Sequence, residues 1–534
     1  MNPGLSQTPG RDQDQCVFGD PPTAMTSGNP VADGLSGQKT CLDKYHDVVM
    51  LQCMDTHPVS GPKGPSRRTF LSTAAVMAAA APILAQAAPA HAAPSGLGSA
   101  QNTGKFDPAL RALITQIDPK RIQATILRLT QFGTRHTLSS QTDSVRGIGA
   151  ATAWVTQQMQ AIAATSNGNM TVQQQTFVQP VSSRIPVPTT ITNVIATLHG
   201  TASPERFYVV TGHLDSRVTD VLDFTSDAPG ADDDGSGVAC VLELARLFAT
   251  HQFPGTIVFA TVAGEEQGIF GSTFMAQQMA SAGNDVQGMF SNDIIGASHS
   301  FDGNKPNPFT VRMFLEGVPT NVTSNQIALL KSVGGENDGL SRQLGRFVKS
   351  VAPFNLTGMN IRLIWRRDRY LRASDHVSFQ GQGYPAARFT EPRENFNHEH
   401  QNTQVVNGVQ LGDLIDFVDF DYIARVTGVN AAALWGLATS PSTPKNAQIH
   451  TAPPGTFSGT NLTTMDWKAN PETNLTGYEV VMRETTDSDW TEALPVGNVT
   501  SVTLDISKDN VQFGIRAVDH NGNRSPVAFP QAVA

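Results

Sequence analysis

RFYVVTGHLD, residues Arg206–Asp215, is a short apolar run that closes on a His-x-Asp pair. Its aromatic and β-branched residues predict a strand. TNVIATLHG (Thr192–Gly200) is strand-like in the same way, and GTIVFATVAGEE (Gly255–Glu266) closes on two adjacent glutamates. Helical patterns alternate with these runs, among them SGVACVLELARLFAT (Ser236–Thr250) and STFMAQQMA (Ser272–Ala280). Two earlier ones are RIQATILRLTQF (Arg121–Phe132) and GIGAATAWVTQQMQAI (Gly147–Ile162). Strands interleaved with helices predict an α/β fold with a mixed, largely parallel central sheet flanked by helices. In open sheets of this kind the ligand site forms outside the carboxyl ends of the strands. Polar groups at those ends are therefore placed for chemistry rather than for packing.

A chain of 534 residues is too long for one core and predicts more than one domain. With 37 Lys+Arg against 46 Asp+Glu the net charge is -9, which offers no basic footprint for nucleic acid and no polybasic patch for a membrane surface. Ser66–Gly96 has paired arginines, an Ala-rich apolar stretch and an Ala90-His91-Ala92 ending, the pattern of an export signal. Arg67-Arg68 before Phe70-Leu71 resembles the twin-arginine type, which carries folded proteins out of the cytoplasm. Pro82 and Pro89 interrupt a stretch already short for a membrane span, so stable membrane insertion is not expected. Met54 or Met50 stands where such a signal would begin. Residues 1–53 then read as a non-native or disordered upstream extension, and 54–92 as the signal, so the protein is expected in the periplasm or outside the cell. Cys16, Cys41 and Cys53 precede Met54, leaving Cys240 alone on an apolar helix face as a buried thiol.

The catalytic α/β region is expected over 100–438, a Pro/Ser/Thr-rich linker over 439–447, and an all-β sandwich over 448–534. Trp467, Tyr478, the FGIRAVD run and the closing NGNRSP resemble a fibronectin type III module across Pro444–Ala534. Trp467 and Tyr478 read as its core. By analogy its loops would take a cell-surface or polymer ligand.

The chemistry lies in the α/β region. Two divalent metals that share a carboxylate can lower the pKa of a water and polarise a carbonyl, and such a site needs His and carboxylates from several strand ends. His213 offers an imidazole, and Asp215, two residues on, lies on the same side of an extended chain and can orient it. Asp233, within PGADDDGSG (Pro229–Gly237), is the candidate bridge, held by glycine turns that lead into a helix. Glu265 and Glu266 point different ways, one to bind metal and the other to take a proton. Asp293 follows a further apolar stretch, and NFNHEHQNT supplies His398 and His400. Imidazoles among carboxylates favour zinc over magnesium or calcium, with manganese or cobalt as substitutes.

H-x-D-S, P-G-x-x-D-D-G-S-G, G-E-E followed by G-x-x-G-S, N-D-x-I-G and a late His occur in this order over about Asn193–Thr403. The set resembles the co-catalytic di-zinc aminopeptidase family that also contains aminopeptidase Y and the glutamate carboxypeptidases. That resemblance implies two Zn2+ ions held by His213, Asp233 as the bridge, Glu266, Asp293 and His398. It implies Glu265 as general base and Asp215 as the residue that orients His213. His398 is preferred to His400 because Asn402-Thr403 follows it at the family's spacing. Several relatives carry Tyr just before this ligand, where Asn397 stands here. SDHVSF (Ser374–Phe379) matches a family element beside the cleft, with neither Asp375 nor His376 as a ligand. One of Arg366, Arg367 and Arg369 is a candidate for a substrate carboxylate. The function expected is an exported exopeptidase acting on peptides, foremost an aminopeptidase. The alternatives are a carboxypeptidase or dipeptidase of the same family, and an inactive secreted binding protein that works through its C-terminal module.

Overall fold

The computed structural model describes residues 97–100, 107–299, 305–450 and 461–533. The expected signal and upstream extension lie outside the described residues. Eight strands form the central sheet, in the order Met170–Gln179, Thr189–Leu198, Gly255–Val262, Ser203–His213, Asp285–Asn292, Ala386–Thr390, Thr310–Leu315 and Asn360–Ile364. Four of the seven pairings are parallel, so the sheet is mixed with a parallel centre. Period-two alternation assigns the two faces. Tyr208, Val210, Ile257 and Phe259 face the larger core with the helices Pro119–Thr130, Ile148–Ala163, Gly235–Phe248 and Phe420–Thr439. Val209, Val258 and Ala260 face the opposite core with Phe270–Ser281 and His376–Gly381. All eight residues of Gly255–Val262 are buried, as a central strand covered on both sides requires. Cys240 is fully buried, and burial pushes its thiol up to about 12.

The parallel strands Ser203–His213, Gly255–Val262 and Asp285–Asn292 deliver His213, the Glu265–Glu266 turn and Asp293 to one edge of the sheet. Asp234 ties the first strand to the next helix. It caps Gly235–Phe248 by accepting from the Gly237 amide, and its other oxygen accepts from the His213 amide at 2.8 Å. Strand and helix touch here backbone to backbone. A Cβ on Gly237 would lie 2.1 Å from the Asn292 carbonyl oxygen, and one on Gly212 would lie 2.5 Å from the Gly237 carbonyl carbon. Gly212 and Gly237 are thus demanded by this close approach.

The C-terminal region is a sandwich of two four-stranded sheets. Trp467 and Tyr478 lie in its core, with ring centroids 5.2 Å apart. The sandwich takes in residues outside 448–534. The strand Lys445–His450 already belongs to the sandwich, so the last residues of the predicted linker are ordered ladder, paired with Thr463–Lys468 and Gln531–Val533. Gly98–Ser99 adds to the edge strand Glu492–Gly497, so a segment preceding the catalytic region completes the C-terminal sheet.

The sandwich is packed onto the α/β region rather than strung from it. Buried Asp338 receives Arg346 at 2.9 Å from the α/β region and Arg483 at 2.6 Å from the sandwich, while Trp490 donates to Gln343 at 2.9 Å. Removing a partner from a buried ion pair leaves an uncompensated charge. Asp338→Ala is therefore expected to destabilise the chain by about 3–5 kcal/mol in denaturant unfolding, with activity at low temperature retained.

Candidate metal centre

At the carboxyl edge Asp233 stands between two imidazoles. Its Oδ1 is 2.9 Å from His213 Nε2 and its Oδ2 is 2.8 Å from His400 Nε2. His213 Nδ1 faces the Asp215 carbonyl oxygen at 3.0 Å, which leaves Nε2 toward the cluster. Asp293 Oδ1 lies 4.0 Å from His213 Nε2, and Glu266 Oε1 lies 3.2 Å from His400 Nε2. Two groups of metal-compatible atoms result, His213/Asp233/Asp293 and Asp233/Glu399/His400, each within 4.8 Å and sharing Asp233. Glu265 and Glu266 line the same cavity of about 600 Å³, together with Arg184, Arg217, Arg369 and Arg372.

The geometry places two of the expected residues differently. His398 is engaged elsewhere than with Asp233. Its ring stacks on Phe417 with centroids 3.5 Å apart, and its Nδ1 meets the Asn395 side-chain amide at 3.0 Å. His400 takes the place expected for it, its backbone in the left-handed region at φ 55°. The residue preceding the inward histidine is consequently Glu399 rather than Asn397. Asp215 orients His213 through its carbonyl oxygen, its nearer carboxylate oxygen standing 3.7 Å away. That carboxylate instead accepts the amides of Glu265 and Glu266 at 3.2 and 3.1 Å and the Thr137 hydroxyl at 2.9 Å. It holds the two-glutamate turn in place, which is a positioning task.

Several residues of the site carried no readable motif. Asp413 accepts the amides of Asp232 and Asp233 at 2.8 and 2.7 Å and so anchors the loop of the shared carboxylate. Arg388 holds Asp293 Oδ1 at 3.0 Å. Arg217 reaches Glu266 Oε2 at 2.8 Å and His400 Nδ1 at 2.6 Å. Arg217 directly follows GHLDS and was within sight; Asp413 and Arg388 are brought in only by folding. Of the three arginines considered for a substrate carboxylate, Arg369 lines the cavity, whereas Arg366 covers the Tyr370 ring and Arg367 donates to Gln380.

The electrostatics suit cations. Burial pushes the His213 imidazole down, but the surrounding carboxylates, Asp234 and Asp233 foremost, outweigh it and hold it well above its ordinary value. Burial raises Asp233, yet His400 and His213 bring it well below the usual range. Burial also raises Glu265, reinforced by Asp293 and Glu266 and partly offset by His213, so this carboxyl has an enhanced proton affinity. Glu399 Oε2 is buried without a hydrogen-bond partner, and Glu266 Oε1 has the His400 imidazole at 3.2 Å. An orphaned oxygen among imidazoles and carboxylates completes a donor set that zinc fits.

Metal content after dialysis separates the two histidines. His400→Ala is expected to weaken metal retention by about 10-fold or more, since even residues outside the ligand sphere cost 10–100-fold; His398→Ala is expected to retain it.

The family model described as Peptidase family M28 matches residues 193–417, the span that carries His213, Asp233, Glu265, Glu266, Asp293 and His400. A protein of Pyrenophora teres f. teres named "Probable zinc metalloprotease" is 49% identical over 439 residues, covering 82% of this chain and 90% of that one. Another of the same name from Pyricularia oryzae is 49% identical over 430 residues, covering 79% and 84%. Among solved structures, Legionella pneumophila LapA aminopeptidase is 18% identical with a TM-score of 0.43, covering 62% of this chain and 76% of that one, a likeness too loose to add to the family match.

Proposed function

Because this chain belongs to peptidase family M28, as a zinc metallopeptidase, we propose that it is a two-zinc exopeptidase that removes N-terminal residues from peptides. The observation that carries the proposal is Asp233, whose two oxygens face His213 and His400 from opposite sides. His213, Asp233 and Asp293 would hold one zinc, and Asp233, Glu266 and His400 the other. Bound zinc would supply Lewis-acid polarisation of the scissile carbonyl and a lowered pKa for the attacking water.

The remaining work falls to the chain's own residues. Glu265, on the cavity wall, takes a proton from the attacking water and returns it to the leaving amine. Asp215 fixes the Glu265 and Glu266 amides, so base and ligand keep their separate directions. Arg388 keeps Asp293 turned toward His213.

Arg184 favours a second reading. It gives one donor to the Glu266 carbonyl oxygen at 2.8 Å and has no carboxylate partner among the described residues, leaving guanidinium donors for a substrate carboxylate. That feature suits a carboxypeptidase or dipeptidase. Hydrolysis of a dipeptide and tripeptide panel, blocked at one end or the other, by the zinc-restored enzyme decides between them. Loss on blocking the amine is the aminopeptidase result; loss on blocking only the carboxylate overturns it.

Export through the twin-arginine stretch and a fibronectin type III identity for the packed sandwich are part of the same proposal. They rest on Ser66–Gly96 and on the Trp467/Tyr478 core respectively.

A further inference from the structure

Beyond the ligands assigned above, we propose that Glu399 is an additional carboxylate ligand of the second zinc, beside Asp233, Glu266 and His400. The proposal rests on the two-zinc reading. Adjacent residues in an extended chain face opposite ways, and Glu399 and His400 would do so were the backbone regular. The left-handed conformation at His400 breaks that alternation. One carboxylate oxygen of Glu399 and one ligand atom each of Asp233 and His400 consequently lie within 4.8 Å of one another. Ligands bound to one zinc at about 2.0–2.2 Å lie within roughly 4.4 Å of each other, so Asp233, Glu399 and His400 need little contraction to share one ion.

The state of the carboxylate supplies the second observation. The Glu399 side chain is 5% exposed, and its Oε2 has no hydrogen-bond partner. The other oxygen, Oε1, receives Arg372, which is itself held by Glu394 at 2.7 Å. One oxygen thus anchors the group while the other is buried with no partner, on a residue that lines the cavity. A residue serving only as the partner of Arg372 would leave that second oxygen desolvated with nothing in return, at a cost that native structures rarely carry. Coordination by Oε2 removes the deficit and adds negative charge beside the second cation. His400, Glu266 and Glu399 would then make the second site richer in protein ligands than the first.

The test is zinc stoichiometry and affinity of the full chain by competition with a chromophoric chelator, for the wild type, Glu399→Gln and Arg372→Gln. The wild type is expected to take two zinc ions. Glu399→Gln is expected to hold one as tightly as the wild type and the other 10-fold or more weakly, whereas Arg372→Gln, which removes only the anchor of the opposite oxygen, is expected to lose less on that site than Glu399→Gln and nothing on the other. Unchanged affinity in Glu399→Gln overturns the proposal, and so does an equal loss in Arg372→Gln, because Glu399 would then act only as the arginine's partner. A wild-type chain that takes fewer than two zinc ions overturns the two-zinc reading and this proposal with it. Should Glu399→Gln fail to fold by circular dichroism, Glu399→Asp retains the charge with a shorter reach. Its Co2+-substituted form is expected to show shifted visible absorption bands, and unshifted bands overturn the assignment.

Discussion

Glu265→Gln is expected to lower kcat by about 10²–10⁴-fold, the range a general base contributes, while zinc content stays at the wild-type level. Glutamine is close in size to glutamate and keeps the hydrogen-bonding outline of the cavity wall, but it cannot take a proton. The backbone of this turn is held independently of the side chain, by Asp215 through the amides of Glu265 and Glu266. Geometry therefore survives the change. Equal falls in kcat and kcat/KM would place the lost interaction in the transition state. Metal analysis alongside the kinetics makes the result decisive: full zinc with undiminished turnover sinks Glu265 as base, and lost zinc means that Glu265 rather than Glu266 is a ligand.

Asp233→Ala is expected to have the larger consequence, loss of hydrolysis together with loss of bound zinc. Changes outside the ligand sphere already cost about 10–100-fold in metal affinity, and the shared carboxylate touches both halves of the cluster. His213 and His400 would be left facing each other across the vacated position, each still surrounded by other carboxylates. A variant that keeps both metals and full turnover would remove the bridging role and with it the observation on which the proposed function rests. Folding is readable separately, because Asp234, not Asp233, caps the helix Gly235–Phe248 and ties it to His213.

The amino-acid sequence alone determined that this is an α/β chain with chemistry at its strand ends. RFYVVTGHLD and GTIVFATVAGEE announce central strands because both faces of such strands are buried, and their polar ends stand out where the apolar run stops. The same local logic placed His213, Asp233, Glu265, Glu266 and Asp293 within reach of one sheet edge, and Trp467 and Tyr478 in a separate β core. Tertiary structure decided the rest. Two histidines separated by one residue give nearly the same spacing signal, and the choice fell to the left-handed backbone at His400 and to the Phe417 ring that takes His398. Asp215 looked like the partner of the nearest imidazole, yet its carboxylate serves amides 50 and 51 residues later. Asp413 reaches back 180 residues to hold Asp233, and Gly98–Ser99 completes a sheet made otherwise of C-terminal strands. Local pattern records which face of an element must be buried, because that depends on neighbours along the chain. Which distant hydrogen-bond donor a buried carboxylate will meet depends on how whole elements pack, and no short stretch of sequence contains that information.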